Sequence, residues 1–558
     1  MRSIIGCSII SALSARVKAT LRLLLAAAPL MADEGVFTDV TAVSGVDFVH
    51  VNGISESKRL PETDGSGTAF FDADGDGDLE LYFVNSGDLS VGRGSAVNAL
   101  YDNLGEGSFR PIPGSAGAPG REYGMGVLVG DPDNDGDPDL YCTAWGADHF
   151  YRNDGNGRFS DASQEARVGN PEWGSSASYL DVDSDGDLDL FVANYVRFEL
   201  ATHPWCGRRD MDLRFYCDPR QYEPTTDLLY RNDDGRFVDI SEQAGITKAG
   251  NGLGVVAGDF DGDGDSDLYV ANDMTPNFLY QHEGVDAGGQ VRFHEAGLLT
   301  GTALSADGAS QAGMGVDAAD WDSDGDLDLF VTNYQLENNT LYRNDGVYFT
   351  EISFRAGIGE VSLNYLGFGA GFLDFDQDGW LDLFVANGHV HDNIEQYDPI
   401  VTYPQQVQLF QNVQGERYED VTRRLGAALQ RRYVARGSAF GDYDGDGDPD
   451  IALNCSGRPA VLLRNDASVG NWLRVRLQGR RINRDGVGAI VELHRGAEIQ
   501  YRHVMRGRGY QSSNELELHF GLGSSTRADS LVVCWPSGVR QRLVDLTANQ
   551  RLAVIEPD

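Results

Sequence analysis

One nine-residue pattern, D-x-D-x-D-G-x-x-D with Glu accepted at the last place, occurs seven times in the 558-residue chain, beginning at Asp72, Asp131, Asp181, Asp259, Asp320, Asp374 and Asp442. Self-similarity at such spacing constrains a chain more than local propensity does, because each unit must be a supersecondary element that buries its faces against copies of itself. Two landmarks travel with the pattern. An aromatic that generally opens an F-x-D/E-type strand stands 22 to 35 residues ahead of each loop, at Phe37, Phe109, Phe159, Phe237, Phe293, Phe349 and Tyr418. A Leu-Tyr-Arg-Asn-like strand follows it, most clearly at Tyr151 to Asn153, Leu229 to Asn232, Leu341 to Asn344 and Leu462 to Asn465.

Inside a unit the residues read as β structure. Gly-rich small residues lead into the loop, as in Gly124-Met125-Gly126, and alternating apolar residues leave it, as in Asp189-Leu190-Phe191-Val192-Ala193-Asn194. That alternation has the period of a strand rather than of a helix. Several short strands in each of seven units predict an all-β fold, a seven-bladed β-propeller over residues 37–466 with an insertion at about 197–228. The Phe37 strand precedes the first loop and the last repeat lacks a strand after Asn465, so the N-terminal strand is expected to complete the last blade and remove an open edge. Residues 470–556 form a separate, small, β-sandwich-like domain of alternating strands such as Leu473-Arg474-Val475-Arg476-Leu477.

The loops carry the chemistry. Carboxylates at positions 1, 3, 5 and 9 direct hard oxygen donors inward, and Gly at position 6 permits the sharp turn, which suits Ca²⁺ with its six to eight oxygen ligands. The candidate ligands are Asp72, Asp74, Asp76 and Glu80; Asp131, Asp133, Asp135 and Asp139; Asp181, Asp183, Asp185 and Asp189; Asp259, Asp261, Asp263 and Asp267; Asp320, Asp322, Asp324 and Asp328; Asp374, Asp376, Asp378 and Asp382; and Asp442, Asp444, Asp446 and Asp450. Position 7 is Asp in six loops and Trp380 in the other, as expected if that residue offers its backbone carbonyl. Up to seven Ca²⁺ are therefore expected. The chain has 44 Lys and Arg against 86 Asp and Glu, a formal charge of −42, and the odd-numbered loop positions hold 34 of those carboxylates, five in six loops and four in the Trp380 loop. Such acidity excludes duplex nucleic acid and anionic membranes as partners of most of the chain.

Residues 1–32 lack Asp and Glu, carry Arg2, Arg16, Lys18 and Arg22, and end in an apolar run from Leu23 to Ala32, the pattern of an export signal cleaved after Ala28 or Ala32; a membrane-anchoring N-terminus is the alternative. The run is too short to span a bilayer. A secreted, periplasmic or extracellular location follows, and there Cys206 and Cys217, which bracket a short loop-like stretch, are expected to form a disulfide. The spacing of Cys142, Cys455 and Cys534 assigns them no role.

The glycines, acidic loop and following strand resemble FG-GAP repeats, the units of the integrin α-subunit propeller. The resemblance implies Ca²⁺ ligation through positions 1, 3, 5 and 9, with Glu80 and Trp380 as departures. Asn471-Trp472-Leu473, Asn483 to Ala489, His519 to Gly523 and Trp535-Pro536-Ser537-Gly538 resemble an ASPIC/UnbV domain, and the combination is similar to the secreted cartilage acidic protein family and its bacterial relatives. This tail, residues 470–558, has 13 Arg and 9 acidic residues, hence +4, and is expected to dock on the acidic propeller or to recruit an anionic surface; a solvated Arg-rich face is the alternative.

No nucleophile elbow, zinc-protease motif, P-loop or dinucleotide fingerprint is present, so the chain reads as leaning away from an enzyme. Residues at the ends of the strands that follow the loops would gather at one channel mouth, which makes Asn194, Asn272, Asp273, Asn333, Asn387, His389 and His391 a candidate ligand site; Asn at such ends also serves turns. The leading function is a secreted calcium-binding propeller acting as a binding or scaffold protein for a protein, glycan or small molecule. An enzyme or biosynthetic accessory with its site at the channel mouth, and a surface or matrix adhesion protein, are the competing classes.

Overall fold

A computed structural model describes residues 36–558 apart from 93, 106 and 468; the export signal expected over residues 1–32 lies outside the described residues. The chain is all-β. Seven four-stranded antiparallel sheets succeed one another along residues 37–465. In the first, Thr68–Phe71, Glu80–Phe83, Ala99–Asn103 and Phe109–Pro111 pair in chain order. In the seventh, Ala435–Gly441, Asp450–Cys455 and Val461–Asn465 are joined by Phe37–Asp39, with Phe37 opposite Asn465. The N-terminal strand thus closes the last sheet.

The innermost strands touch their neighbours in a circle that returns from Ala435–Gly441 to Thr68–Phe71, so the sheets form a closed propeller ring. Each gap between sheets is filled by its own apolar layer. Phe70, Leu81 and Phe83 of the first sheet, for example, meet Ala439, Ala452 and Leu462 of the seventh. Burying one such large side chain contributes about 1.5–3 kcal/mol, and the layer recurs around the circle.

Between Asp189–Asn194 and Leu228–Asn232 of the third sheet the chain makes an excursion. Cys206–Arg208 and Leu213–Phe215 pair as a hairpin, and Cys206 is disulfide-bonded to Cys217 across a Cα–Cα distance of 5.3 Å. Cys142 and Cys455 are buried free thiols, and Cys534 is a half-buried one.

The C-terminal strands make two sheets around one core. Leu518–Gly523, Asn471–Gln478 and Gln550–Ile555 form the first, and Glu498–His503, Ile490–Arg495, Arg527–Cys534 and Arg540–Thr547 the second. Leu473 and Val475 face Val491, Leu493 and Leu531 between them, and this core is continuous with Leu128, Tyr141 and Tyr179 of the propeller. Among the described residues no helix is long and apolar enough to cross a membrane.

The link between strands Glu498–His503 and Leu518–Gly523 enters the propeller axis. Tyr179 N–H donates to the Arg506 carbonyl (3.2 Å), Val316 N–H to Gly509 (3.0 Å), Val127 N–H to Gln511 (3.0 Å) and Phe70 N–H to Ser513 (3.2 Å). Inner-strand edges that would otherwise face channel water are thereby paired. The approach is close enough that a Cβ on Gly67 would lie 1.9 Å from the Gln511 carbonyl oxygen, so only glycine fits there.

Candidate functional site

The seven acidic loops lie on the face where the C-terminal domain sits, each at the end of an innermost strand. They share one hydrogen-bond plan. Gly at position 6 takes φ between 94° and 102° in every loop, a region L side chains avoid, and its N–H donates to the position-1 carboxylate at 2.8–3.2 Å. The position-7 N–H donates to the position-5 carboxylate at 2.8–3.0 Å, and Trp380 does so like the six aspartates. The position-9 carboxylate, at most 1% exposed in all seven loops, accepts the N–H of a residue late in the third strand, such as Asn232 onto Asp189 at 2.7 Å.

These bonds leave some loop oxygens without partners among the described residues. Asp133 Oδ1, Asp181 Oδ1, Asp183 Oδ1, Asp322 Oδ1, Asp374 Oδ1, Asp376 Oδ1 and Asp444 Oδ1 are buried and unpartnered. In Asp72–Asp74–Glu80, Asp131–Asp133–Asp135, Asp181–Asp183–Asp189, Asp259–Asp261–Asp263 and Asp320–Asp322–Asp328, one oxygen of each carboxylate lies within 4.8 Å of the others. Burial first, and neighbouring carboxylates as a further cause, push Glu80 up to about 8, Asp139 up to about 9 and Asp267 up to about 8. Convergent, unpartnered, hard oxygens of this kind fit Ca²⁺, and the donor set contains no nitrogen or sulfur to favour another metal.

The Asn at or near the end of the third strand in six of the sheets has a role the sequence alone did not disclose. Asn232 Nδ2 donates to Leu188 O in its own loop (3.1 Å) and to Pro132 O in the loop of the preceding sheet (2.7 Å). Asn103, Asn153, Asn344 and Asn412 likewise bridge two loops, so adjacent loops are stapled around the ring. In the fourth sheet this position is His282, 5% exposed, whose ring nitrogens make no hydrogen bond among the described residues. The recurrent Leu-Tyr-Arg-Asn signature was the visible trace of the staple.

The opposite mouth is irregular. Asn194, Asn272, Asn333 and Asn387 are at most 1% exposed, and their amides donate to Thr226, Pro276, Asn338 and Gln406 carbonyls at 2.7–2.9 Å. They hold turns and do not line the cavity. The residue after three of them does: Tyr195, Asp273 and Tyr334 line a cavity of about 360 Å³, with Asp64, Met314, Phe368 and His391. The hairpin covers this cavity through Phe215, Tyr216 and the Cys206–Cys217 disulfide. Tyr195 Oη donates to Asp273 Oδ2 at 2.6 Å. His391 packs on the rings of Phe215 and Tyr216, with centroids 5.7 and 6.0 Å away, and burial pushes it down to about 4. His389 is beneath the surface; its Nδ1 accepts the His391 N–H at 3.0 Å, and burial pushes it down to about 3. Asp64 gave no signal because nothing repeats around it.

The Arg-rich tail docks on the loop face, but few charges carry the contact. Arg474, 2% exposed, donates to Asp442 Oδ2 at 2.5 Å and to Glu515. Gly521 N–H reaches Asp374 Oδ2 at 3.1 Å, and the Arg551 guanidinium donates to Gly77 O at 3.1 Å. Shared apolar core and the backbone pairing along the axis supply the rest, a mode of attachment that net charge did not foretell.

Fold and loops together define a β-propeller with repeated acidic loops and an appended β domain. A sequence profile described as FG-GAP-like repeat matches residues 72–142, 131–192, 220–270, 259–331 and 320–385, and one described as ASPIC and UnbV matches 479–558. The chain belongs to the FG-GAP-like repeat family and carries an ASPIC and UnbV domain. It is 26% identical over 336 residues to cartilage acidic protein 1 of Homo sapiens, covering 57% of this chain and 46% of that protein, and 27% identical over 338 residues to that of Mus musculus, covering 57% and 47%. The chain thus spans about half the length of the curated relatives it matches. Among solved structures, an Agrocybe aegerita lectin that recognises non-reducing terminal N-acetylglucosamine is 15% identical with a TM-score of 0.37, covering 64% of this chain and 79% of the lectin.

Proposed function

We propose that this protein is a secreted calcium-binding propeller that serves as a binding or scaffold protein. The observation that carries the reading is the hydrogen-bond plan shared by the seven loops, in which carboxylates converge and, in five loops, a buried oxygen has no partner among the described residues. Bound Ca²⁺ would supply the positive charge that these clusters lack. The chain's own residues fix the loops: the position-6 glycine makes the turn, and the Asn staples hold neighbouring loops in register. The disulfide supports an oxidising compartment. The mature chain, stripped of metal and titrated calorimetrically with Ca²⁺, is expected to take up as many as seven ions, and Asp322→Asn with Asp328→Asn to remove one. A native fold that takes up none overturns the reading.

A further inference from the structure

The channel-mouth cavity carries a second inference, on residues that are not part of the loops. Its walls are mainly apolar and aromatic: Leu253, Met274, Met314, Phe215, Tyr334 and Phe368 all line it. Into this lining the fold places two carboxylates from distant segments, Asp64 and Asp273. Asp64 is 4% exposed and its Oδ2 has no hydrogen-bond partner among the described residues. Asp273 is half-buried, and its Oδ2 accepts from Tyr195. A third carboxylate on the lining, Asp218, is already paired with Arg220 at 2.5 Å.

The nearest buried cation does not neutralise the pair by contact. The Arg436 guanidinium is fully buried, and it donates to the carbonyls of Thr63, Gly388, Ala435 and His389 at 2.8–3.2 Å. It lies over the Phe368 ring, 3.9 Å from the centroid, and Tyr510 of the axial segment packs edge-on against that ring at 5.1 Å. When both carboxylates ionise, only one buried cation, bonded elsewhere, is left to balance them, so the second charge calls for a counter-ion from outside the fold. Burial first and the Asp273 charge second push Asp64 up to about 8, and burial pushes Asp273 up to about 7.

We infer that this cavity is a binding site for a small organic ammonium ion with an apolar body, its charged head against Asp64 and Asp273 and its body between the aromatic side chains and the hairpin. A bare divalent metal would need six to eight oxygens, which apolar walls do not provide. An anion is repelled by the two carboxylates, and a sugar requires more fixed polar partners than this lining offers. An ammonium ion gains both the desolvated charge pairing and the aromatic faces. The volume of about 360 Å³ accommodates a molecule of that size. The inference rests on reading the molecule as a binding protein, and it does not depend on calcium.

The test uses the calcium-loaded full chain and a matched pair of probes, phenethylammonium and its neutral analogue 2-phenylethanol, with methyl β-glucoside as a third arm. Isothermal titration is expected to show phenethylammonium binding at least about tenfold tighter than 2-phenylethanol, and Asp64→Asn and Asp273→Asn each to weaken it about tenfold while leaving 2-phenylethanol unchanged. Because Asp64 is buried, thermal unfolding and calcium stoichiometry accompany both variants, and Asp273→Asn decides alone if Asp64→Asn does not fold. Equal binding of the neutral probe, binding of the glucoside alone, absence of phenethylammonium binding, or an Asp273→Asn variant with unchanged affinity overturns the inference. Retained calcium uptake in the same preparation separates that failure from failure of the calcium reading.

Discussion

The two faces of the propeller are built on opposite principles. On the loop face every sheet contributes the same nine-residue pattern in the same hydrogen-bond plan, so the face is a ring of near copies. At the channel mouth each sheet contributes something different: Tyr195, Asp273, Tyr334, His391, and the disulfide-pinned hairpin. Repetition suits a task that every blade must perform, the neutralising of buried carboxylates. Irregularity suits recognition, which needs one arrangement of unlike groups. The difference teaches that in a repeat protein the residues that break the period are the ones to search for a ligand.

Removing calcium should break the comparison most severely, because it acts on all copies of one face at once. With calcium at about 100 times the dissociation constant each occupied site contributes about 2.7 kcal/mol, so exhaustive metal removal is expected to lower the melting temperature by more than about 10 °C in scanning calorimetry. The metal-free protein should also be more stable at pH 5 than at pH 8. Buried position-9 carboxylates titrate higher folded than unfolded, Asp139 raised from 3.8 to about 9 and Asp267 to about 8, so the folded state binds more protons and loses stability as pH rises from about 4 to about 9. A metal-free protein with the opposite slope would show that the loop carboxylates are not crowded.

A smaller loss is expected where the C-terminal domain meets the loop face. Arg474→Ala leaves Asp442 and Glu515 buried without their cation and should cost about 3–5 kcal/mol in urea unfolding. On the other face, Cys206→Ser with Cys217→Ser should cost about 2–3 kcal/mol and shorten hydrogen-exchange protection in the hairpin while leaving the loops untouched. Smallest are the staples. Asn412→Ala strands the Trp321 and Leu381 carbonyls and should cost about 1–3 kcal/mol, whereas His282→Asn adds the missing staple and should add about 1 kcal/mol by the same measurement.

The face that repeats was legible in the sequence and the face that does not was not. Carboxylates at fixed spacing, a glycine where φ must be positive, and alternating apolar residues report their own environment, so loops and strands could be read without a structure. At the mouth, the alternation of Asp189 to Asn194 says that successive residues point to opposite sides, but not which side meets the axis. Asn194 therefore drew notice while Tyr195, one place on, faces the cavity. Asp64 lies more than 200 residues from Asp273, and only ring closure brings them to one lining. The axial segment was hidden for the same reason: Arg506 to Ser513 looks like a polar link, and its partners are strands hundreds of residues earlier.

The axial segment also fixes an order of events during folding. The ring cannot close before residues 461–465 are available to pair with Phe37–Asp39, and the inner strands cannot complete their pairing until residues 506–515 arrive. Until then the chain holds unpaired strand edges and waits on contacts of very high sequence separation, such as Phe37 with Asn465 and Phe70 with Ser513, conditions that slow folding and favour misassociation. A chain lacking residues 506–515 would leave those inner-strand edges unpaired along the axis, so the C-terminal domain completes the propeller it caps.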